Sequence, residues 1–241
     1  MEVKVFDDYH SLSRYAANLF LQQVRQKPES VLGLATGGTP EGFYRQLVQM
    51  SNEESISYKA IRTFNLDEYY PINHNHPQSY WTFMKNHLFS HVSINENNIF
   101  IPNGETSDVE RECERYEQLL KEKGGIDLQI LGIGENGHIG FNEPGASFAS
   151  RTRVVELTPN TIQANSRFFT SAQDVPRHAI TMGIASILES KKIIVLASGK
   201  KKAKVVSEAI NGKVTEEVPA SVLQHHPNVL FLVDQEAAVN L

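Results

Sequence analysis

Short apolar runs alternate with longer stretches of helical spacing along this chain. VKVF (3–6), SVLGLA (30–35), AIRTFNL (60–66), NIFIP (98–102), DLQILGI (127–133), RVVEL (153–157), KIIVLAS (192–198) and NVLFLVD (228–234) read as strands by their length. Residues 10–26 place Leu12, Tyr15, Ala16, Leu19, Phe20 and Val24 at helical spacing. Further helices are predicted over 40–50, where Pro40 suits the first position, and over 107–122, where Ser107 and Glu110 are spaced as a capping box. Residues 179–188 and 200–210 complete the helical set. Strands that are apolar on both faces and alternate with helices predict a mostly parallel sheet covered on both sides. The expected fold is one doubly wound, Rossmann-like α/β domain over residues 1–241, with no linker and no internal repeat.

The bulk composition narrows the function by exclusion. A net charge of −5, with both signs mixed along the chain, speaks against a nucleic-acid partner. No apolar run reaches the roughly 18 residues of a membrane span. The opening MEVKVFDDYH lacks a secretory pattern. Cys113 is the sole cysteine, so no intrachain disulfide forms and a cytoplasmic setting is expected.

Doubly wound sheets bind ligands beyond the carboxyl ends of their strands, so the residues following each strand carry the functional reading. After the second strand comes Thr36-Gly37-Gly38-Thr39 and then a helix. Glycines at a helix start let backbone N–H groups approach an anion, so this turn is a candidate phosphate cradle, although a plain strand-to-helix turn would look similar. Asp67 follows the third strand and could serve as a base, a metal ligand or a turn cap. LGIGENGHIGFNEPG (131–145) contains a GxGxxG match, but Gly140, Pro144 and Gly145 stand where a dinucleotide site needs its helix. The stretch reads better as a loop on which Asn136, His138 and Glu143 converge, the carboxylate fixing the imidazole for acid–base work. In SGKKKA (198–203) three lysines open a helix, a place that favours a bound anion over bare cations. Arg167, in ANSRFF (164–169), offers a second phosphate ligand, and the surrounding stretch 158–175, between regular elements, is a candidate lid. His74-x-His76 lacks companions for a metal site, His225-His226, before the last strand, is expected at the surface, and Cys113 lacks a basic partner.

LATGGTPEG, FNLDEY, GIGENGHIGFNEPG, NSRFF and SGKKKA, in this order and over essentially the whole chain, closely resemble the glucosamine-6-phosphate deaminase family, in its short bacterial branch. The resemblance implies conversion of D-glucosamine 6-phosphate and water to fructose 6-phosphate and ammonia, in amino-sugar breakdown, with no organic cofactor and no metal. It implies that Asp67 moves the C2 proton to C1, that His138 opens the sugar ring and that Glu143 supports His138. Asn136 stands where larger, hexameric members carry aspartate. Phosphate would lie on Gly37, Gly38, Thr39, Arg167 and Lys202, the last chosen because it precedes the alanine of a family lysine–alanine pair. The short C-terminal stretch implies a monomer without activation by N-acetylglucosamine 6-phosphate. A 6-phosphogluconolactonase and a non-enzymatic sugar-phosphate sensor are the rival readings on this scaffold.

Overall fold

The computed structural model describes residues 1–165, 169, 171 and 174–241. In chain order its elements are β1 (Glu2–Phe6), α1 (Tyr9–Gln26), β2 (Val31–Leu34), α2 (Gly38–Glu53), β3 (Arg62–Asn65), β4 (Asp67–Tyr70), α3 (Tyr80–His87), β5 (Ile99–Phe100), α4 (Val109–Glu122), β6 (Leu128–Gly132), β7 (Arg153–Glu156), α5 (Pro159–Asn165), β8 (His178–Thr181), α6 (Ile184–Leu188), β9 (Ile193–Ala197), α7 (Ala203–Asn211) and β10 (Val229–Asp234).

Seven strands form one sheet in the order β1-β10-β9-β6-β2-β3-β5, and every pairing in it is parallel. Alternation sorts its side chains onto two cores. Ile193, Val195, Phe231 and Val233 meet Tyr116 of α4 and Val205 and Val206 of α7. Leu32, Leu34, Ile194, Leu196 and Leu232 meet Leu12, Phe20, Phe43 and Tyr44 of α1 and α2. The chain runs outward from β2 through β3 to β5, then returns to β6 on the other side of β2. Order therefore reverses between β2 and β6, and the crevice above their carboxyl ends is where such sheets bind ligands.

A second sheet, β4-β8-β7, is antiparallel. Its register aligns Asp67, Thr181 and Arg153 in one row, hence on one face. A small third core of Tyr69, Ile72, Phe141, Leu157 and Ala179 covers it.

Four expectations are corrected. Residues 179–188 are not one helix: β8 pairs on both edges, and the short α6 starts only after Gly183, where a Cβ would stand 2.2 Å from the Ser150 carbonyl oxygen. RVVEL joins the antiparallel sheet rather than the parallel one. Asp108, not Ser107, caps α4, its carboxylate accepting from the Arg111 N–H at 3.1 Å. The stretch 158–175 also holds regular structure, since α5 occupies its first half.

Candidate active site

Four chain segments leave the carboxyl ends of β3, β2, β6 and β9, neighbours in the sheet, and bring the candidate residues to one edge. Asp67 lies two residues beyond β3, at the start of β4. It is 5% exposed, and no described residue donates a hydrogen bond to its carboxylate. Burial pushes this carboxyl up to about 8, and the adjacent Glu68 adds to the rise. A carboxylate so placed is a base matched to near-neutral working pH.

The loop after β6 carries the second group. His138 Nδ1 lies 2.7 Å from Asn136 Oδ1, and Asn136 Nδ2 donates to Glu143 Oε2 at 2.6 Å. Glu143 Oε2 is itself 3.5 Å from His138 Nδ1, and its Oε1 accepts from Thr161 Oγ1 at 2.7 Å. This arrangement puts the imidazole proton on Nδ1 and leaves Nε2 free to accept another. Burial raises the Glu143 carboxyl, but His138, Thr161 and Asn136 outweigh it and hold the group down at about 2. Glu143 thus stays ionised and supports an imidazolium. The three residues converge as expected, and asparagine makes the shortest contact, bridging the imidazole and the carboxylate.

Gly134 permits this geometry. A Cβ there would fall 2.3 Å from His138 Nδ1 and Cε1, so the ring occupies the space a side chain would need. Gly140 brings the loop to the base, since a Cβ on it would sit 3.3 Å from Asp67 Oδ2 and 3.1 Å from Thr181 Oγ1. The loop is anchored beyond that point by Asn142, which donates to the Ile139 and Met182 carbonyls and accepts from Arg153, each contact at 2.8–2.9 Å.

The anion cradle is assembled in part. Gly37 adopts φ +103, a left-handed value that glycine tolerates, and α2 begins at Gly38 with no side-chain cap. Side chains at Gly37 or Gly38 would meet nothing within 4 Å, so the turn with Thr39 opens onto the crevice. Lys202 lies in a 3₁₀ turn, Lys200–Lys202, beyond β9. Burial pushes its ammonium down, Glu135 attracts it at longer range, and no described group hydrogen-bonds it. A half-buried cation without a close partner suits an anionic ligand. Arg167 lies outside the described residues.

Further residues belong to the site that the sequence did not single out. Tyr9 donates to the Thr39 carbonyl at 2.7 Å and accepts from the Gly42 N–H at 2.7 Å, bracing the cradle. Thr161, on α5, was hidden inside a stretch read as irregular, although Thr158-Pro159 is a helix-start signal. Glu68 and Tyr80 had no local signal, because their partners are distant in sequence. His74 stacks on Trp81 and His76 on Phe169, and among the described residues no group of His, Cys, Asp and Glu could hold a metal. No helix of the described residues is long and apolar enough to cross a membrane.

The profile of the glucosamine-6-phosphate isomerases/6-phosphogluconolactonase family matches residues 7–231. A glucosamine-6-phosphate deaminase of Clostridium botulinum (strain Loch Maree / Type A3) is 54% identical, covering 100% of this chain and 99% of that one. Its counterpart in Geobacillus sp. (strain WCH70) is 55% identical over 95% of this chain and 92% of its own. A solved structure described as a monomeric glucosamine-6-phosphate deaminase superposes with TM-score 0.98 at 49% identity, over 100% of both chains. The 6-phosphogluconolactonase of Trypanosoma brucei, at 21% identity and TM-score 0.81, over 100% of this chain and 98% of that one, shares the fold. The chain belongs to the glucosamine-6-phosphate isomerase/6-phosphogluconolactonase family, on its deaminase branch.

Proposed function

We propose that this protein converts D-glucosamine 6-phosphate and water to D-fructose 6-phosphate and ammonia. The observation that carries the reading is the meeting, across Gly140, of a histidine relay and a buried base that receives no hydrogen bond from any described residue. A lactonase would need the histidine and the anion cradle, but would have no use for a second base on the carbon chain.

In this reading His138 Nε2 takes the proton of the C1 hydroxyl and returns it to the ring oxygen, opening the pyranose. Glu143, through Asn136, steadies the imidazolium in between. Asp67 then removes the C2 proton. The C2–H electron pair forms the C1–C2 double bond, the substrate's ammonium gives up a proton to the aldehyde oxygen, and an enolamine results. Asp67 delivers its proton to C1, leaving an imine at C2. Water adds there and ammonia departs, giving the ketose. These are proton transfers and one hydration, which positioned side chains can supply. Gly37, Gly38, Thr39, Lys202 and Arg167 hold the phosphate, so the acid–base groups act on a fixed carbon chain. The working unit is a cytoplasmic monomer of 27.0 kDa, a reading supported by the monomeric relative of near-identical fold. Sedimentation at that mass is the expected result.

The direct test incubates the purified protein with glucosamine 6-phosphate and assays ammonia and fructose 6-phosphate together. Equal release of both is expected, lost in Asp67→Asn. Lactone hydrolysis without ammonia release would replace this reading with its rival.

A further inference from the structure

We propose that Glu68 is a positioning residue for Asp67: its buried carboxylate clamps α3 to the base-bearing strand β4 and its charge tunes the base. This rests on the function proposed above. Successive side chains of a strand point to opposite faces, so Asp67 toward the crevice places Glu68 on the other side of β4. Glu68 is 3% exposed. It accepts from the N–H groups of Tyr69 and Tyr80, both at 2.9 Å, and of Trp81 at 3.1 Å. Ser79 takes the N–H of Thr82 at 3.1 Å, so the two residues together satisfy the open start of α3.

The clamp has a consequence for the site. It fixes Tyr80, whose ring lies 4.9 Å from that of Tyr69 between centroids and whose buried phenol feels the side chains of Thr36 and Tyr69 electrostatically. The Tyr80 ring stacks on Phe141, with centroids 6.1 Å apart and planes 5° apart. Thr36 belongs to the anion turn and Phe141 to the histidine loop. One buried carboxylate therefore holds a wall that touches all three parts of the site. Helix capping alone does not call for a charge, because a serine already serves at Ser79. What only a carboxylate provides is a second negative charge beside the base.

Other titratable groups surround Asp67. The Tyr80 and Tyr116 phenols are both pushed well above their usual range by burial and stay neutral. His138 lies across Gly140, and Arg153 lies two strands away in the same row. Glu68 is the adjacent group whose ionisation acts directly on Asp67. Burial pushes Glu68 itself up to about 7, against the three N–H donors that favour its charged form.

The test compares Glu68→Gln and Glu68→Asp with the parent protein, using three readouts. The first is the midpoint of the Asp67 carboxyl carbon in an NMR titration, assigned by its loss in Asp67→Asn. The second is the acid limb of kcat/KM, and the third is the melting temperature. Glu68→Gln keeps an acceptor without the charge, so the carboxyl midpoint and the acid limb should move down together by roughly half a unit or more. Glu68→Asp keeps the charge but withdraws the clamp by one methylene. Its midpoint should stay high while kcat falls by about tenfold or more through misplacement. A fall in melting temperature with both midpoints unmoved in Glu68→Gln would reduce Glu68 to a helix cap and overturn the proposal. If Glu68→Gln fails to fold, a lowered midpoint in Glu68→Asp overturns it instead. The carboxyl titration does not depend on turnover. Absence of ammonia release by the parent protein would thus defeat the functional reading while leaving this inference decidable.

Discussion

Burial costs an ionised carboxylate far more than a protonated one, so Asp67 weakens the fold wherever it is charged. Its folded-state value of about 8 stands above the ordinary 3.8. The native state then binds more protons than the unfolded chain between these values, and stability declines as pH rises through that window. Asp67→Asn removes the liability together with the base. It should lower kcat by about 10²–10⁴-fold. It should also raise the melting temperature relative to the parent at pH 8, by the equivalent of a few kcal/mol, with the gap closing near pH 4. Equal gaps at both pH values would show that the carboxyl titrates normally. Glu143 behaves in the opposite sense. Held at about 2, it contributes stability above the ordinary carboxyl range, and this is lost as pH falls through its folded value. The two carboxylates are thus separated by environment into a proton acceptor and a permanent charge, a division that sequence alone could not supply. Both were visible as residues at strand ends; their ionisation depends on neighbours brought in from residues 138, 161 and 68.

At the scale of elements, the loop from β6 to Glu143 was legible because its working contacts are local. Asn136, His138 and Glu143 lie within eight residues, and the glycines between them mark close approaches. Gly134 allows a sharp prediction. In Gly134→Ala the new methyl would meet the imidazole at 2.3 Å and force it out of line with Asn136. Activity should fall by about 10²-fold, with the backbone fold retained by circular dichroism and the Glu143 relay broken. Parent-like activity in that variant would mean that the ring position is not critical. The antiparallel sheet was illegible for the converse reason. β4 pairs with β8 from Asp67 to Thr181, far apart in sequence, and β4, β7 and β8 are each too short to announce themselves by alternation. HAIT and IASIL together form an apolar stretch whose composition fits a helix as well as a strand. Pairing on both edges of β8 decided the matter, and no local signal carries that information. Glu68 and Tyr80 were missed with the same sheet, since their meaning depends on α3 packing against β4.

On the scale of the whole molecule, the parallel sheet was read nearly complete because its strands are apolar on both faces and its reversal of order fixes where a ligand sits. That reversal puts the open start of α2 and the lysine turn after β9 at one edge of the sheet, on either side of the histidine loop. The phosphate should therefore supply much of the ligand's binding, and Lys202 a large part of that. Burial pushes the Lys202 ammonium down, so the cation is held at some cost until an anion arrives. Fructose 6-phosphate at a hundred times its dissociation constant should stabilise the protein by about 2.7 kcal/mol. For a chain of this size that is a rise of roughly 5–10 °C in melting temperature, and unphosphorylated fructose should give none. Lys202→Ala removes one partner of a buried charge pair and should weaken binding by at least about tenfold. At the same ligand concentration about half of the thermal shift or more should then be lost, while the ligand-free variant should be no less stable than the parent. An undiminished shift in Lys202→Ala would remove Lys202 from the cradle and leave the anion to the N–H groups of Gly37, Gly38 and Thr39. A ligand-free variant that melts well below the parent would instead give Lys202 a structural role, which the lack of a hydrogen-bond partner among the described residues argues against.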